Sequence, residues 1–544
     1  MRVALGQFNA VVGDLDGNTA RMRHVYEKAI GLGADLLVFP ELAVCGYPPE
    51  DLLLKRHFLR DNRAAVEKLA ADCPGMTLIA GFAGGFDSGC CNCAGVLEKG
   101  RVKAVYHKNL LPNYGVFDER RYFTAGTEPL VVDVAGLKVA VTVCADIWEV
   151  RWMKNLLEGR GRPQVVVNIS ASPFYVGKFE KRQAVVSECA KTFKSAVCYC
   201  NLVGGQDELV FDGRSMIADA SGGIIATARA FGEDTLSADI TPARGSVLVS
   251  PAGPAARQPA GTIEEMYQAL VLGTRDYTWK NGFEKVLVGL SGGIDSSVVA
   301  AVAAEALGAK NVTGITMPSK FNSPQTIADA RRLARNLGIN FLTIPIGPVL
   351  GRFDEVLGAA ADWDGSGIAH ENLQARIRGC MLMSLSNRCG SLVLTTGNKS
   401  ETAVGYTTLY GDTAGGFAVI KDVPKTAVYR LAEHINAAAG RDVIPPEVLA
   451  RPPSAELKPG QKDTDSLPDY DVLDRILTGY IEQDKSLREL AGEGLPERTV
   501  LDVVRMVDRN EYKRRQSPPG VKLTPKAFGR DRRLPITNRY VEKP

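Results

Sequence analysis

Apolar and polar positions alternate from the first residues, and 3–8 reads as a β-strand. A helical stripe follows, because Met22, Val25, Tyr26, Ala29 and Ile30 recur at i, i+3, i+4, i+7 and i+8. Residues 36–39 form a short apolar run that stops at Pro40-Glu41, as a buried strand does. Residues 96–97 and 102–106 flank Lys99-Gly100, which predicts a hairpin. In 137–144, Leu137, Val139, Val141 and Val143 share one face, and Cys144 falls on the other at the strand's end. Residues 165–169 read as another buried strand. Many strands with fewer helices predict a layered α/β domain.

The pattern changes from residue 262. A helix over 262–280 precedes a strand at 285–290, a glycine turn and an alanine-rich helix. Strands at 312–316 and 341–346 follow, each after a helix, and a helix over 371–388 leads to a strand at 392–395. This alternation predicts a doubly wound parallel sheet, whose ligands bind outside the carboxyl ends of the strands. The loops after 290, 316, 346 and 395 are therefore where chemistry is expected. Between the halves, 241–262 is rich in proline and glycine and has little periodicity. A boundary near 260 is expected, with one domain over 1–245, a linker over 246–262 and a second domain over 263–544.

Composition narrows the class. A chain of 544 residues, 45% hydrophobic and 23% charged, is neither disordered nor fibrous and is long enough for several domains. No stretch has the ~18 uncharged apolar residues of a membrane span. The N-terminus lacks the pattern of a signal peptide, so a cytoplasmic location is expected, with no membrane partner. Eleven cysteines, an odd number, are expected as reduced thiols. Cys90, Cys91 and Cys93 cluster without a second pair at zinc-ligand spacing, and Cys198 and Cys200 look like small buried hydrophobes. The net charge of +3 hides an asymmetry, since 505–544 carries 12 Lys/Arg against 4 Asp/Glu and the rest of the chain is mildly acidic. No recognisable RNA-binding module accompanies that basic tail, so no nucleic-acid partner is expected. A solvated tail or a phosphate-rich small molecule accounts for it.

Two motifs carry chemistry. After the strand VLVGL comes Ser291-Gly292-Gly293-Ile294-Asp295-Ser296-Ser297 and then a helix. Glycines let backbone approach an anion, the helix N-terminus offers free N–H groups, and Asp295 suits a Mg²⁺ that neutralises phosphate. The Walker pattern is absent, and Thr396-Gly397-Asn398-Lys399-Ser400 lacks the upstream glycine it needs. In the first half, three strand ends carry Glu41, Lys108 and Cys144. Singly these read as a strand-end acid, a surface lysine and a buried cysteine. Converged at one sheet edge, they form a set that attacks an amide. Glu41 takes the thiol proton, Cys144 attacks, and Lys108 with a backbone N–H stabilises the oxyanion.

SGGIDSS resembles the pyrophosphate loop of ATP-pyrophosphatase-type synthetases, a motif that specifies adenylylation chemistry but not the acceptor. Glu41, Lys108 and Cys144 resemble, in order and context, the triad of the nitrilase family, whose domain is an αββα sandwich. The pairing of the two is similar to the two-domain bacterial family of glutamine-dependent NAD⁺ synthetases. GYPPEDLL, LPNYGVFDERRYF, NISASPF, ENLQARIRG, TTGNKSE, YGDTAGGFAVIKDVPK, RPPSAELKPGQKDTDSLPDYDVLD and EYKRRQ extend the resemblance over nearly the whole chain. It implies ATP-dependent amidation of deamido-NAD⁺ with ammonia from glutamine. By it, Tyr114, Ser172 and Lys178 hold glutamine, and Glu119 is a second acid beside the triad. Gly289, Leu290, Ser291, Gly292, Gly293, Ile294, Asp295, Ser296 and Thr396 meet ATP. Asn372, Glu401 and Lys513 meet deamido-NAD⁺, and Asp295 with Glu401 serves Mg²⁺. It further implies an ammonia tunnel and a homo-oligomer, an octamer. Basic residues Lys513, Arg514 and Arg515 are expected to close over polyanionic substrates, and the proline-rich 445–470 to act as a mobile lid or lie as a surface loop. One departure is Ala145, where the family often has glutamate; its backbone N–H is kept.

Overall fold

The computed structural model describes residues 1–85, 89–159, 161–360, 362–458 and 460–542. Pro459 of the proline-rich segment and Lys543 and Pro544 of the basic tail therefore lie outside the described residues. The chain divides into two compact units, Met1–Ala260 and Gly261–Pro544.

In the first unit a seven-stranded sheet runs in the order Ser246–Pro251, Asp234–Ala243, Arg2–Gln7, Leu36–Val38, Thr77–Gly84, Cys91–Glu98 and Arg101–His107. A six-stranded sheet runs Ile224–Thr227, Met216–Ala218, Ala196–Asn201, Val165–Ser170, Leu137–Val143 and Leu130–Val134. Val3, Leu5, Val38 and Ile79 of the first sheet share one core with Val139, Val141, Val167 and Ile169 of the second. The outer face of the first sheet is covered by the helices Leu15–Gly31 and Arg56–Asp72 through Met22, Phe58 and Val66. The outer face of the second is covered by Val150–Leu156 and Lys178–Phe193 through Met153, Val186 and Cys189. The result is a helix–sheet–sheet–helix sandwich. Because both faces of the central strands are dry, residues 36–38 and 165–167 are apolar throughout instead of alternating, and Asn168 is buried with its amide donating to Thr142 Oγ1 at 3.0 Å. Cys198 and Cys200 are completely buried in the inner core.

The expected linker is shorter than its composition suggests. Ser246–Pro251 pairs antiparallel with Asp234–Ala243 as an edge strand. Within it Val247 points to the core while Leu248 is 64% exposed, so the alternation in SVLVSP outweighs the prolines around it. An edge strand tolerates proline at its end.

The second unit holds five parallel strands in the order Asn340–Thr343, Val312–Thr316, Val286–Gly289, Leu392–Thr395 and Phe417–Ala418. The chain builds outward from Val286–Gly289 to one edge and then returns to its other side. That reversal opens a crevice at the carboxyl end of the central strand. The strand expected at 341–346 stops at Thr343: Ile344 still donates to the Thr316 carbonyl, but Pro345 has no N–H to continue the ladder. The helix expected at 371–388 spans Gly367–Cys389. Helices after residue 470 gather round their own core of Leu473, Ile476, Leu490, Val500 and Val504.

Two expectations about the later segments change. The 445–470 stretch contains a helix, Pro446–Ala450, and is fastened beside the glycine loop. Arg451 donates to the Gly292 carbonyl at 3.0 Å and pairs with Asp329. Glu456 accepts from Asn322 and Thr326, and the Leu457 carbonyl accepts from Gln374. The basic tail also uses much of its charge internally. Arg514 is buried, donating to the carbonyls of Ala403 and Val507 and to Glu511. Arg515 pairs with Glu511, and Lys522 with Asp531. Arg514 is therefore a packing cation rather than a substrate clamp, because its donors are spent on the fold's own acceptors.

Candidate active sites

In the first unit, Glu41 follows the strand Leu36–Val38, Lys108 follows Arg101–His107, and Cys144 follows Leu137–Val143. Cys144 takes a left-handed φ of 43° directly after the strand, a conformation that costs a non-glycine residue about 1–3 kcal/mol and turns the thiol out of the ladder. The neighbouring parallel strand Val165–Ser170 pairs Ile169 with Val143, so Ala171 lies beside the Cys144 turn. The Ala171 amide donates to Glu41 Oε2 at 2.8 Å, which brings the carboxylate of one sheet to the Cys144 edge of the other. Glu41 Oε1 also accepts from Lys108 Nζ and Asn92 Nδ2, both at 2.7 Å. Lys108 lies 2.8 Å from Glu119, which accepts from the Tyr47 hydroxyl at 3.0 Å.

Glu41, Lys108, Glu119 and Cys144 are all buried, and burial acts on the protonation of the last three. Burial alone would lower the Lys108 ammonium, but Glu119 and Glu41 outweigh it and hold the lysine well above its usual range. Burial pushes the Glu119 carboxyl up to about 7 against the pull of Lys108. The Cys144 thiol is pushed far up by burial and then by Glu41. A thiol in that environment keeps its proton until a base takes it, so this site suits general-base activation rather than a standing thiolate.

The three residues expected to hold glutamine differ in their surroundings and exposure. Ser172 is buried beside Ala171, its amide donating to Asn201 Oδ1 at 2.9 Å. Tyr114 is 69% exposed and packs edge-on against Phe117. Lys178 opens the helix Lys178–Phe193, with Nζ 4.1 Å from the Trp148 ring centroid and 5.2 Å from that of Tyr175. Burial, then the Arg182 guanidinium, lowers its ammonium to about 8.

In the second unit the strand Val286–Gly289 ends in the glycine loop and the helix Ile294–Leu307 begins. Leu290 is held by its N–H to the Ile315 carbonyl. Gly292 has a φ of +83°, and a Cβ there would meet the Thr326 carbonyl oxygen at 2.2 Å. Ser291 Oγ lies 3.2 Å from Ser296 Oγ and accepts from the Gly293 amide. Thr396 follows the adjacent strand Leu392–Thr395, on the same edge of the sheet. Asn398 caps the helix Lys399–Val404, accepting from the Glu401 amide, and donates to Asp295 Oδ1 at 2.9 Å. Lys425 Nζ reaches both carboxylates, at 2.5 Å from Asp295 and 3.4 Å from Glu401. Burial raises the Glu401 carboxyl to about 8, opposed by Lys425 and reinforced by Asp295. The two carboxylates that meet at Lys425 beside the glycine loop are hard oxygen donors of the kind Mg²⁺ takes, one or two at a time, with the rest of its shell phosphate and water. Among the described residues no group of three or more His, Cys, Asp or Glu side chains could hold a metal. Asn372 and Lys513 meet the loop after Glu401's helix. Asn372 accepts from Thr408 Oγ1 at 2.8 Å, and Lys513 donates to the carbonyls of Gly405 and Thr407.

Several groups at these sites carry no local signal. Asn92 is hidden among the cysteines of 90–93, and the Ala171 contribution is a backbone amide. Lys425 sits inside a family-like segment, and its reach to Asp295 spans 130 residues. Asp146 and Tyr106, which hydrogen-bond each other, appear in sequence as a turn acid and a strand aromatic.

Comparisons with known proteins bear on both halves. A carbon–nitrogen hydrolase family model matches residues 2–247, and an NAD synthase model matches residues 266–517. A glutamine-dependent NAD(+) synthetase of Thermotoga maritima is 48% identical, with the alignment covering all of this chain and 99% of the relative. One from Synechocystis is 44% identical over 99% of both chains. The solved glutamine-dependent NAD⁺ synthetase of Acinetobacter baumannii, in complex with ADP, is 41% identical. It covers 99% of this chain and 98% of its own, with a TM-score of 0.79.

Proposed function

The chain belongs to the glutamine-dependent NAD(+) synthetases, and from that membership we propose how its residues divide the reaction. The enzyme converts deamido-NAD⁺ to NAD⁺ with ATP and with ammonia released from glutamine, the last step of NAD biosynthesis. The observation that carries the division of labour is the buried ring of Lys108, Glu41 and Glu119 at the Cys144 turn.

At the first site Glu41 takes the proton from Cys144 Sγ as sulfur attacks the glutamine amide carbon. Lys108 and a backbone N–H receive the developing oxyanion. Glu41 passes that proton to the amide nitrogen as the carbon–nitrogen bond breaks and ammonia leaves, and a glutamyl thioester remains until a water deprotonated by the freed Glu41 carboxylate releases glutamate and restores the Cys144 thiol. Glu119 keeps Lys108 charged, while Tyr114, Ser172 and Lys178 hold the substrate. At the second site residues 289–296 and Thr396 receive ATP. The nicotinate carboxylate of deamido-NAD⁺, held by Asn372, Glu401 and Lys513, attacks the α-phosphate. Pyrophosphate leaves against the loop amides, and ammonia then displaces AMP. Asp295 and Glu401 are the residues that would hold Mg²⁺, which supplies charge neutralisation on the phosphates when bound. Ammonia attacks only as neutral NH₃, so an enclosed path from the first site to the second belongs to this reading.

A homo-oligomer, octameric in this reading, accords with the exposed apolar side chains of the second unit, among them Leu342, Phe353, Val356 and Ile368, each more than 40% exposed. A cytoplasmic site of action accords with eleven free thiols.

Cys144→Ala tests the division. It abolishes NAD⁺ formation from glutamine while formation from ammonium salts stays within about twofold. Equal loss with both nitrogen sources would refute it.

A further inference from the structure

We propose that Asp146 is a positioning residue for glutamine hydrolysis, its one carboxylate locking the nucleophile's turn to the strand end that carries Lys108. Asp146 lies two residues after Cys144 and is completely buried. Its Oδ2 accepts from the Val143 amide at 2.9 Å, directly before the nucleophile. The same oxygen accepts from the Tyr106 hydroxyl at 2.8 Å, two residues before Lys108. Its Oδ1 accepts from the Leu110 amide at 2.9 Å, two residues after Lys108. Asn109 Nδ2 donates in turn to the Tyr106 hydroxyl at 2.6 Å, so the hydroxyl has its proton directed at Asp146.

The geometry makes a bracket. Lys108 is flanked on both sides by groups bound to Asp146, and Cys144 is reached through the amide that precedes it. The two arms come from different sheets of the sandwich, so strand pairing alone does not set their separation. Cys144 also sits in a left-handed conformation that its neighbours must hold in place. A carboxylate offers acceptors only, and all three groups facing it are donors. Asparagine has the same shape but turns one acceptor into a donor, so at least one backbone N–H of the bracket loses its partner.

The inference rests on Cys144 and Lys108 as nucleophile and oxyanion partner. Cys144→Ala checks that reading separately: an active Cys144→Ala glutaminase removes the basis, whereas an inactive one leaves the bracket to be judged by its own variants. With the full chain, Asp146→Asn is expected to lower kcat for glutamine hydrolysis about a hundredfold, as a small misplacement of reacting groups does. The KM for glutamine changes less than about threefold, and ammonium-driven NAD⁺ formation is unchanged. Tyr106→Phe removes one strut and lowers kcat by a smaller factor, again at constant KM. The double variant is no worse than Asp146→Asn alone, because both changes act through one bond. A kcat for Asp146→Asn within twofold of the parent overturns the proposal, as does a loss expressed in KM. So do losses that multiply in the double variant, or ammonium-driven synthesis falling in parallel. If Asp146→Asn does not fold, Tyr106→Phe decides alone: a fall in kcat at constant KM supports the bracket, and an unchanged kcat overturns it.

Discussion

Two lysines near Cys144 solve the burial of a cation in opposite ways. Lys108 is completely buried and pairs with two carboxylates, so its charge is secured well above the usual lysine range. Lys178 faces the rings of Trp148 and Tyr175, which attract a cation without matching a carboxylate. Burial and then Arg182 bring it down to about 8. The direction fixes the pH effect: a lowered ammonium is charged below that value and loses its proton as pH rises through it. If its charge holds the carboxylate of glutamine, the KM for glutamine rises about tenfold between pH 7 and 9. Lys178→Arg, which stays charged, flattens that rise. A KM independent of pH in the parent enzyme would remove Lys178 from glutamine binding. Sequence reading treats Lys108 as a surface residue when it stands alone. Its burial is set by Glu41 and Glu119, 67 and 11 residues away, which no local pattern displays.

At the scale of elements, the glycine loop depends on one backbone conformation. Gly292 holds φ +83° with the Thr326 carbonyl where a Cβ would be. Gly292→Ala therefore forces the loop away from the helix Pro324–Leu337 that supports it. The expected outcome is a loss of at least about tenfold in NAD⁺ formation with glutamine and with ammonium alike, while glutamine hydrolysis persists. A loss confined to the glutamine-driven reaction would contradict the role proposed for the loop in the ATP-dependent half. This loop and its flanking strand and helix are legible in the sequence because strand, turn and helix follow one another within about twenty residues, where periodicity and glycine spacing act. The strand ends bearing Glu41, Lys108 and Cys144 are legible for the same reason. Less legible is what faces them. Asn92, the Ala171 amide and Lys425 arrive through pairings 51 to 130 residues apart. Composition misleads in both directions: prolines mask the strand Ser246–Pro251, and basic residues suggest an anion clamp where Arg514 is spent on carbonyls.

At the scale of the whole chain, each unit contains what folding demands on its own. The first has a dry core between two sheets and a helix layer outside each. The second has a core beside its parallel sheet and another among its late helices. A chain with its own core in each half has no need of a long structured crossing, and 252–261 has no strand or helix. Exposed backbone without ladder hydrogen bonds is where a protease gains access first. Arg257 lies in this stretch and is exposed at the surface, so limited trypsin treatment is expected to cut there early and release two fragments of nearly equal mass. Because the glycine loop, Glu401 and Lys425 all lie in Gly261–Pro544, ammonium-driven NAD⁺ formation should outlast that cut. In the proposed division of labour, glutamine-driven formation has a further requirement, delivery of NH₃ from one site to the other before water protonates it. A nick that leaves both reactions equally active would show that delivery tolerates a broken connection. A nick that abolishes the ammonium-driven reaction would show that the second unit depends on an intact chain, against the self-sufficiency its own cores imply.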